Sequence, residues 1–241
     1  MLLCTFKSEL PVKYQHKRIL MVMTSHGTAG ESGRPTGLWL DEFATPFYAF
    51  LDAGLEVVLC SPEGGRIPVD PASLATEHTS EATQRLVRHH CSVLNRTCKL
   101  SQVRAGDFDA VFYPGGHGPL WDLASNLINA ALLRSFDAEN KLIGTVCHGA
   151  AALCGACRSS DGRPLVFRRK LTAFSNAEES AAGMTEIVPF SLENRLLELG
   201  AYYNAILPWL PHVVVDQNLI TGQNPHSAVL VAQKMLERLK S

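Results

Sequence analysis

One cysteine stands where an enzyme with a nucleophilic thiol would hold it. Cys147 follows the apolar run 142–146 and precedes His148 and Gly149. The next residues, 150–153, form a small-residue stretch of helical character. Small neighbours and a strand-to-helix turn are typical of a nucleophile elbow, whose helix start favours a thiolate. Cys147 is the predicted nucleophile, although free cysteines are also commonly buried without a chemical role.

Two backbone N–H groups are candidates for stabilising an oxyanion beside that thiol. The residue after the nucleophile of an elbow usually supplies one, which points to His148. The loop 114–118, Pro-Gly-Gly-His-Gly, lets its backbone approach a substrate oxygen closely, and we take Gly116 as the second donor. The alternative is that this loop is only a tight turn at the end of a strand. The His148 side chain becomes a candidate base if the turn directs it back toward the thiol.

The sequence around these motifs alternates between strand and helix patterns. Short apolar runs predict strands at 19–24, 56–61, 110–113, 142–146, 213–216 and 219–221. Longer amphipathic stretches predict helices at 38–53, 80–95, 126–140, 191–199 and 225–240. This alternation implies βαβ units in a doubly wound, mostly parallel sheet with its site at the carboxyl ends of the strands. We expect one domain over 17–241, with 62–106 as a lid or insertion and 1–16 as an N-terminal extension.

Composition places the chain among globular, soluble proteins. Of its 241 residues 46% are hydrophobic and 19% charged, and the formal net charge is -1. This balance offers no basic footprint for nucleic acid or for an anionic membrane. No stretch approaches the roughly 20 apolar residues of a membrane-spanning helix, and residues 1–17 lack the pattern of a signal peptide. The seven scattered cysteines are expected to be reduced thiols in the cytoplasm.

Two other motifs have residue types found in metal or redox sites. Cys154 and Cys157 have C-x-x-C spacing, but no second such pair accompanies them. The run 89–91, His-His-Cys, lies in a predicted helix, where adjacent side chains point apart. We therefore expect no required metal, and no cofactor of another kind.

Four motifs occur in order along the chain. They are Pro35-Thr36-Gly37 followed by Glu42, Phe112-Tyr113-Pro114-Gly115-Gly116-His117-Gly118, Val146-Cys147-His148-Gly149, and Thr221-Gly222-Gln223-Asn224-Pro225. Together they resemble the ThiJ/PfpI superfamily, in particular its branch of stress-inducible heat-shock chaperones with glyoxalase III activity. The resemblance extends from Lys17 to Ser241. It implies a flavodoxin-like, class I glutamine amidotransferase-like α/β fold with helices on both faces of the sheet, and a homodimer.

The resemblance also implies roles for individual residues. It assigns the nucleophile to Cys147, its adjacent histidine to His148 and a glutamate near the site to Glu42, on the first helix. A buried carboxylic acid with a raised pKa beside a thiolate would donate a hydrogen bond and then shuttle a proton.

The third, acidic member of the triad falls within 174–179. We favour Glu179. Glu178 is an alternative, because either glutamate could equally belong to a solvated helix start. Asn176 is the other candidate, although an amide cannot carry the charge that would balance an imidazolium.

The activity implied by the resemblance is the conversion of a small 2-oxoaldehyde, such as methylglyoxal, to lactate without glutathione, by a lyase of the D-lactate dehydratase type. One alternative is a cysteine peptidase or amidase, although the His-x-Glu triplet of glutamine amidotransferases does not follow Cys147. Another is a non-enzymatic holding chaperone or an oxidative-stress sensor in which Cys147 becomes a sulfinic acid.

Overall fold

The computed structural model describes residues 5–6 and 17–240, and a mixed β-sheet forms its centre. The strands are β1 (Thr5–Phe6), β2 (Arg18–Val22), β3 (Thr28–Ala29), β4 (Arg34–Pro35), β5 (Glu56–Ser61), β6 (Cys98–Lys99), β7 (Ala110–Tyr113), β8 (Leu142–Val146), β9 (Lys170–Leu171), β10 (Tyr202–Tyr203), β11 (Val213–Asp216) and β12 (Leu219–Gly222). The helices are α1 (Leu40–Ala53), α2 (Glu81–His89), α3 (Pro119–Asp122), α4 (Leu127–Ala138), α5 (Asn176–Ala181), α6 (Leu192–Glu198) and α7 (Ala228–Leu239).

Five strands of the central sheet run parallel in the order β5-β2-β7-β8-β12. At one edge β11 is antiparallel to β12, and at the other both β1 and β6 pair with β5. From β2 the chain runs outward to β5 and then returns past β2 to β7, so the strand order reverses between β2 and β7, as in flavodoxin-like folds. The predicted fold class is therefore confirmed.

Side chains of the sheet alternate between two apolar layers. In β2, Ile19 and Met21 face the layer that contains α1 and α7, whereas Leu20 and Val22 face the layer that contains α4. All four side chains are fully buried. Burial on both faces explains why the strands show continuous apolar runs without polar alternation.

The insertion 62–106 contains α2 and β6 and is anchored beside the start of α1. The backbone N–H of Asp70 donates to the carbonyl oxygen of Leu38, at 2.9 Å. The Asp41 carboxylate in the first turn of α1 accepts a hydrogen bond from the Ser80 hydroxyl, which caps α2. These contacts fix the insertion next to α1, while its action as a lid stays a prediction.

Several predicted boundaries differ from those in the structure. The helix predicted at 80–95 ends at His89, because the backbone leaves helical geometry at His90 and a 3-10 turn follows. The helix predicted from 225 starts at Ala228, after another 3-10 turn. The pairs β3–β4 and β9–β10 have only two residues a strand and carry no periodicity that predicts them.

The predicted extension 1–16 lies outside the described residues except for β1, which joins the sheet. None of the described helices is long and apolar enough to cross a membrane.

The turn after β8 packs directly against the end of β7. A Cβ atom at Gly149 would overlap the carbonyl oxygen of Tyr113. A Cβ atom at Gly115 would lie 2.6 Å from Glu42 Oε2 and 2.9 Å from the Cβ atom of Cys147. Because only glycine fits at either position, these residues allow the ends of β7 and β8 and the start of α1 to meet.

Replacing Gly149 by alanine should destabilise the protein, because the new methyl group meets backbone atoms that cannot move aside as a side chain can. We expect a loss of about 1–3 kcal/mol or more in the free energy of unfolding, measured by urea denaturation. The matched control is Gly106→Ala, since a Cβ atom there meets nothing within 4 Å. That control should change stability by less than about 0.5 kcal/mol. Equal effects of the two substitutions would contradict the packing described above.

Candidate active site

Cys147 occupies a strained turn at the carboxyl end of β8. Its backbone φ angle is 55°, in the left-handed region that residues with side chains rarely adopt. Such a conformation costs about 1–3 kcal/mol and is typically found at functional sites. The stretch Cys147–Leu153 forms 3-10 turns rather than the helix predicted after the nucleophile. The side chain of Cys147 is nevertheless held at the carboxyl end of the central strand β8, as in a nucleophile elbow.

A chain of short contacts joins Cys147, His148 and Glu179. The Cys147 sulfur lies 3.3 Å from His148 Nδ1, so the histidine side chain does turn back toward its neighbour. On the other side of the ring, His148 Nε2 lies 2.7 Å from Glu179 Oε2. Thiol, imidazole and carboxylate thus have the mutual geometry of a nucleophile, its base and the group that orients the base.

The carboxylate determines which imidazole nitrogen carries the proton. Burial lowers the pKa of His148 despite the opposing charge of Glu179, so the ring is neutral at pH 7. Burial opposes ionisation of Glu179, but its interactions with His148 and His117 outweigh this and hold its pKa below the usual value. An ionised carboxylate only accepts hydrogen bonds, so His148 Nε2 donates. The lone pair on Nδ1 then faces the Cys147 thiol and can accept its proton.

Glu42 approaches the thiol from α1. Its side chain is fully buried, and Oε2 accepts a hydrogen bond from the Gly115 backbone N–H at 2.9 Å. Oε1 has no hydrogen-bond partner of ordinary geometry among the described residues. Burial raises the pKa of Glu42 to about 8, against a lowering influence of the Cys147 thiol. The carboxyl group is therefore protonated at neutral pH, with Oε1 as the oxygen that can hold the proton.

The thiol is not acidified as the helix-start argument predicts. Burial raises the pKa of Cys147 well above its usual range, and the negative charge of an ionised Glu42 raises it further. The backbone N–H of His148 acts in the opposite direction by donating to the sulfur. A thiolate in this place therefore depends on Glu42 keeping its proton, and on transfer of the thiol proton to His148.

The two alternatives to Glu179 lie elsewhere. Asn176 is hydrogen-bonded to Ser191 and Asn194 at the start of α6, away from the imidazole. Glu178 is buried and caps α5 by accepting from Ser175, and its other oxygen accepts from Asn224. Of the three candidates, Glu179 alone contacts His148.

His117 belongs to the site although the sequence analysis gave it no role. Its Nε2 donates to Glu179 Oε1 at 2.8 Å, and its ring lies 4.2 Å from that of His148. The sequence feature that indicates a role for His117 is its position in the same glycine-containing loop as Gly116. His117, His148 and Glu179 offer three atoms within 4.8 Å of one another, so this group could hold a metal ion. Here the two imidazoles are instead paired with the carboxylate itself.

A cavity of about 670 Å³ opens above Cys147. Gly116, His117 and His148 line its inner end, and Glu42 forms part of the same wall. Three aromatic residues also line it, namely Phe174, which is buried, Trp39, which is half-buried, and Trp209, which is exposed. The predicted site residues Cys147, His148, Glu42, Glu179 and Gly116 thus converge, while their catalytic roles remain proposals.

Cys154, Cys157, His89 and His90, from the motifs set aside in the sequence, are not among the described residues that line this cavity. Cys154 and Cys157 are free thiols, half-buried and exposed respectively. His90 is hydrogen-bonded through Nδ1 to the Tyr48 hydroxyl at 2.8 Å.

Replacing Glu42 by glutamine should make stability less dependent on pH. The carboxyl pKa is 4.5 when unperturbed and about 8 in the folded protein, so the native state retains a proton that the unfolded state loses between these values. Wild-type stability therefore falls relative to Glu42→Gln as pH rises through this window. Between pH 5 and pH 8 we expect the Tm difference, measured by calorimetry, to widen by roughly 5–10 °C in favour of the variant.

Glu179→Gln is the matched control, since the pKa of Glu179 is held low and its contribution to stability is complete above the unfolded pKa. Its Tm difference from wild type should stay nearly constant from pH 5 to pH 8. A constant difference for Glu42→Gln as well would show that Glu42 is ionised in the folded protein.

Comparison with known proteins identifies the family of this chain. The model of the DJ-1/PfpI family matches residues 40–238. Over 235 residues the chain is 29% identical to the glutathione-independent glyoxalase HSP31 of Saccharomyces cerevisiae, with 93% of this chain and 99% of that protein covered.

Solved structures give the same result. The crystal structure of glyoxalase III from Candida albicans has a TM-score of 0.85 and 25% identity, covering 92% of this chain and 96% of that one. Rapid Encystment Protein 24 kDa from Francisella tularensis has a TM-score of 0.88 and 37% identity, covering 92% and 99% respectively. The resemblance seen in the four motifs is confirmed, and the chain belongs to the DJ-1/PfpI family.

Proposed function

We propose that this protein is a glutathione-independent glyoxalase that converts a small 2-oxoaldehyde, such as methylglyoxal, into a 2-hydroxy acid. The observation that carries the proposal is that the Cys147 sulfur lies 3.3 Å from the His148 imidazole, in a site that also contains the buried carboxyl group of Glu42. The reaction needs a nucleophile, a base and an acid at one carbon pair, and this arrangement supplies all three. The glyoxalases among its relatives support the same activity.

The first step forms a bond between the Cys147 sulfur and the aldehyde carbon. His148 Nδ1 accepts the thiol proton as the sulfur attacks, and Glu179 stabilises the resulting imidazolium. The carbonyl oxygen becomes an oxyanion beside the backbone N–H groups of Gly116 and His148. The imidazolium then returns its proton to that oxygen, which leaves a neutral hemithioacetal.

The second step moves hydrogen from the first carbon to the second. Neutral His148 removes the proton from the first carbon while Glu42 donates its own to the ketone oxygen, which gives an enediol. In the return steps protonated His148 gives its proton to the second carbon, and ionised Glu42 accepts the hydroxyl proton of the first carbon, which becomes a thioester carbonyl. The first carbon is oxidised and the second reduced, so no external redox cofactor is needed. Water then cleaves the thioester and regenerates the thiol.

The direct test is lactate production from methylglyoxal in the absence of glutathione. Cys147→Ala should fold normally but lose at least about a thousandfold in turnover, because a nucleophile and its base act as a unit. Cys157→Ala, which removes an exposed thiol, is the control and should be as active as wild type.

Release of amines from peptide or amide substrates without lactate formation would instead favour the alternative of a cysteine peptidase or amidase. Absence of any turnover, together with oxidation of Cys147 by peroxide, would favour the sensor.

Turnover should also survive exhaustive chelation. The three atoms that could hold an ion are already joined by hydrogen bonds from His117 and His148 to Glu179, and no step above passes through a metal. We expect activity within about twofold of the untreated protein when metal content is followed by mass spectrometry. Loss of turnover on chelation and its recovery with zinc would contradict this mechanism.

The homodimer and a role in protein quality control are proposed with this function and rest on the family resemblance alone. The cytoplasmic location is also proposed, and it rests on the expectation that the cysteines are reduced thiols.

A further inference from the structure

The cavity is much larger than methylglyoxal requires. Its volume of about 670 Å³ lies within the range of roughly 300–1,000 Å³ that encloses drug-sized ligands. A three-carbon aldehyde bonded to Cys147 would occupy only its inner end. The outer part is therefore available to a larger substituent on the second carbon of the substrate.

An aromatic wall connects the triad to the outer part of the cavity. The Phe174 ring lies 4.4 Å from that of His148, and the Trp209 ring lies 5.7 Å from that of Phe174 in an edge-to-face arrangement. The wall thus begins at the proposed base and ends at Trp209, which is 40% exposed. Flat apolar groups gain most from such a surface, since aromatic pairs contribute beyond the area they bury.

The backbone of Trp209 is held in an unfavourable conformation. Its φ angle is 67°, an outlier for a bulky residue. Hydrogen bonds hold it on both sides: its N–H donates to Glu178 Oε1 at 2.9 Å, and its carbonyl oxygen lies 2.8 Å from His226 Nδ1. Strain of this kind persists only where surrounding contacts determine it, and it is concentrated at active sites and ligand clamps.

Glu178 gives this loop a fixed position relative to the triad. One of its oxygens accepts from Trp209 and Asn224, while the other accepts from Ser175 at the start of α5. Glu179, which orients His148, is the next residue of the same helix. Glu178 has no role in the proposed steps, and these contacts explain its burial: it positions Trp209 relative to the reacting centre.

We propose that Trp209 is a specificity-determining residue that binds the substituent of the substrate, and that the cavity favours 2-oxoaldehydes with an aryl group over methylglyoxal. This inference rests on the proposed glyoxalase function and names the substrate class of the same site.

The test compares steady-state kinetics with phenylglyoxal and methylglyoxal for wild type and Trp209→Ala. We expect the variant to lose about tenfold in kcat/KM for phenylglyoxal, mainly through KM, because the ring contact is made in the ground state and the transition state alike. The loss for methylglyoxal should be no more than about threefold, so the ratio of the two values changes. Trp209→Phe should restore most of the preference for phenylglyoxal.

Two controls separate the side chain from the loop. Trp209→Gly removes the indole but tolerates the positive φ angle, so it should show the same change of ratio with a Tm no lower than that of Trp209→Ala. Tyr202→Ala removes an exposed aromatic side chain that does not line the cavity, and it should leave both substrates unaffected.

An unchanged ratio in Trp209→Ala, with wild type active on methylglyoxal, would overturn the inference and leave the function standing. The inference would also be overturned if Trp209→Ala had a different molecular mass in light scattering and lost kcat/KM equally for both substrates. Trp209 would then belong to a subunit interface. No turnover of either aldehyde by wild type would overturn the proposed function itself.

Discussion

A thiol and a carboxyl group buried at one point form the constraint on which the site depends. Neither Cys147 nor Glu42 is solvated, and the negative charge of an ionised Glu42 raises the pKa of the Cys147 thiol further. The pair cannot be doubly ionised near pH 7, and the proton of Glu42 is what makes a thiolate tolerable. The same proton then becomes an acid available to substrate. Burial disfavours the thiolate form of Cys147 in the resting protein. The same burial keeps Glu42 protonated and thus supplies the acid that the reaction needs.

The fold brings these groups together from separate parts of the chain. β8 ends in the strained turn of Cys147, β7 ends in the loop that donates an N–H to Glu42, and α1 delivers Glu42 itself. The three meet beside the point where strand order reverses, which is where doubly wound sheets bind ligands. Glycines at 115 and 149 permit the approach, because any side chain there would collide with backbone or with Glu42.

Local patterns predicted those features that depend on neighbouring residues. β5, β7, β8 and β11 have the predicted boundaries, since each is an apolar run bounded by turn residues. The choice between Glu178 and Glu179 required tertiary structure: adjacent side chains on α5 point to different partners, one to Asn224 and one to His148. The acidity of Cys147 was predicted from the adjoining helix start, but burial outweighs that local effect.

Infrared difference spectroscopy tests the protonation of Glu42 most directly. A carboxylic acid has a C=O stretching band that an ionised carboxylate lacks, and subtraction of the Glu42→Gln spectrum assigns that band to this residue. We predict a protonated carboxyl band at pH 7 that disappears with a midpoint of about 8. A carboxylate spectrum for Glu42 throughout the range from pH 6 to pH 8 would contradict the account, because Cys147 would then have an ionised acid as its neighbour.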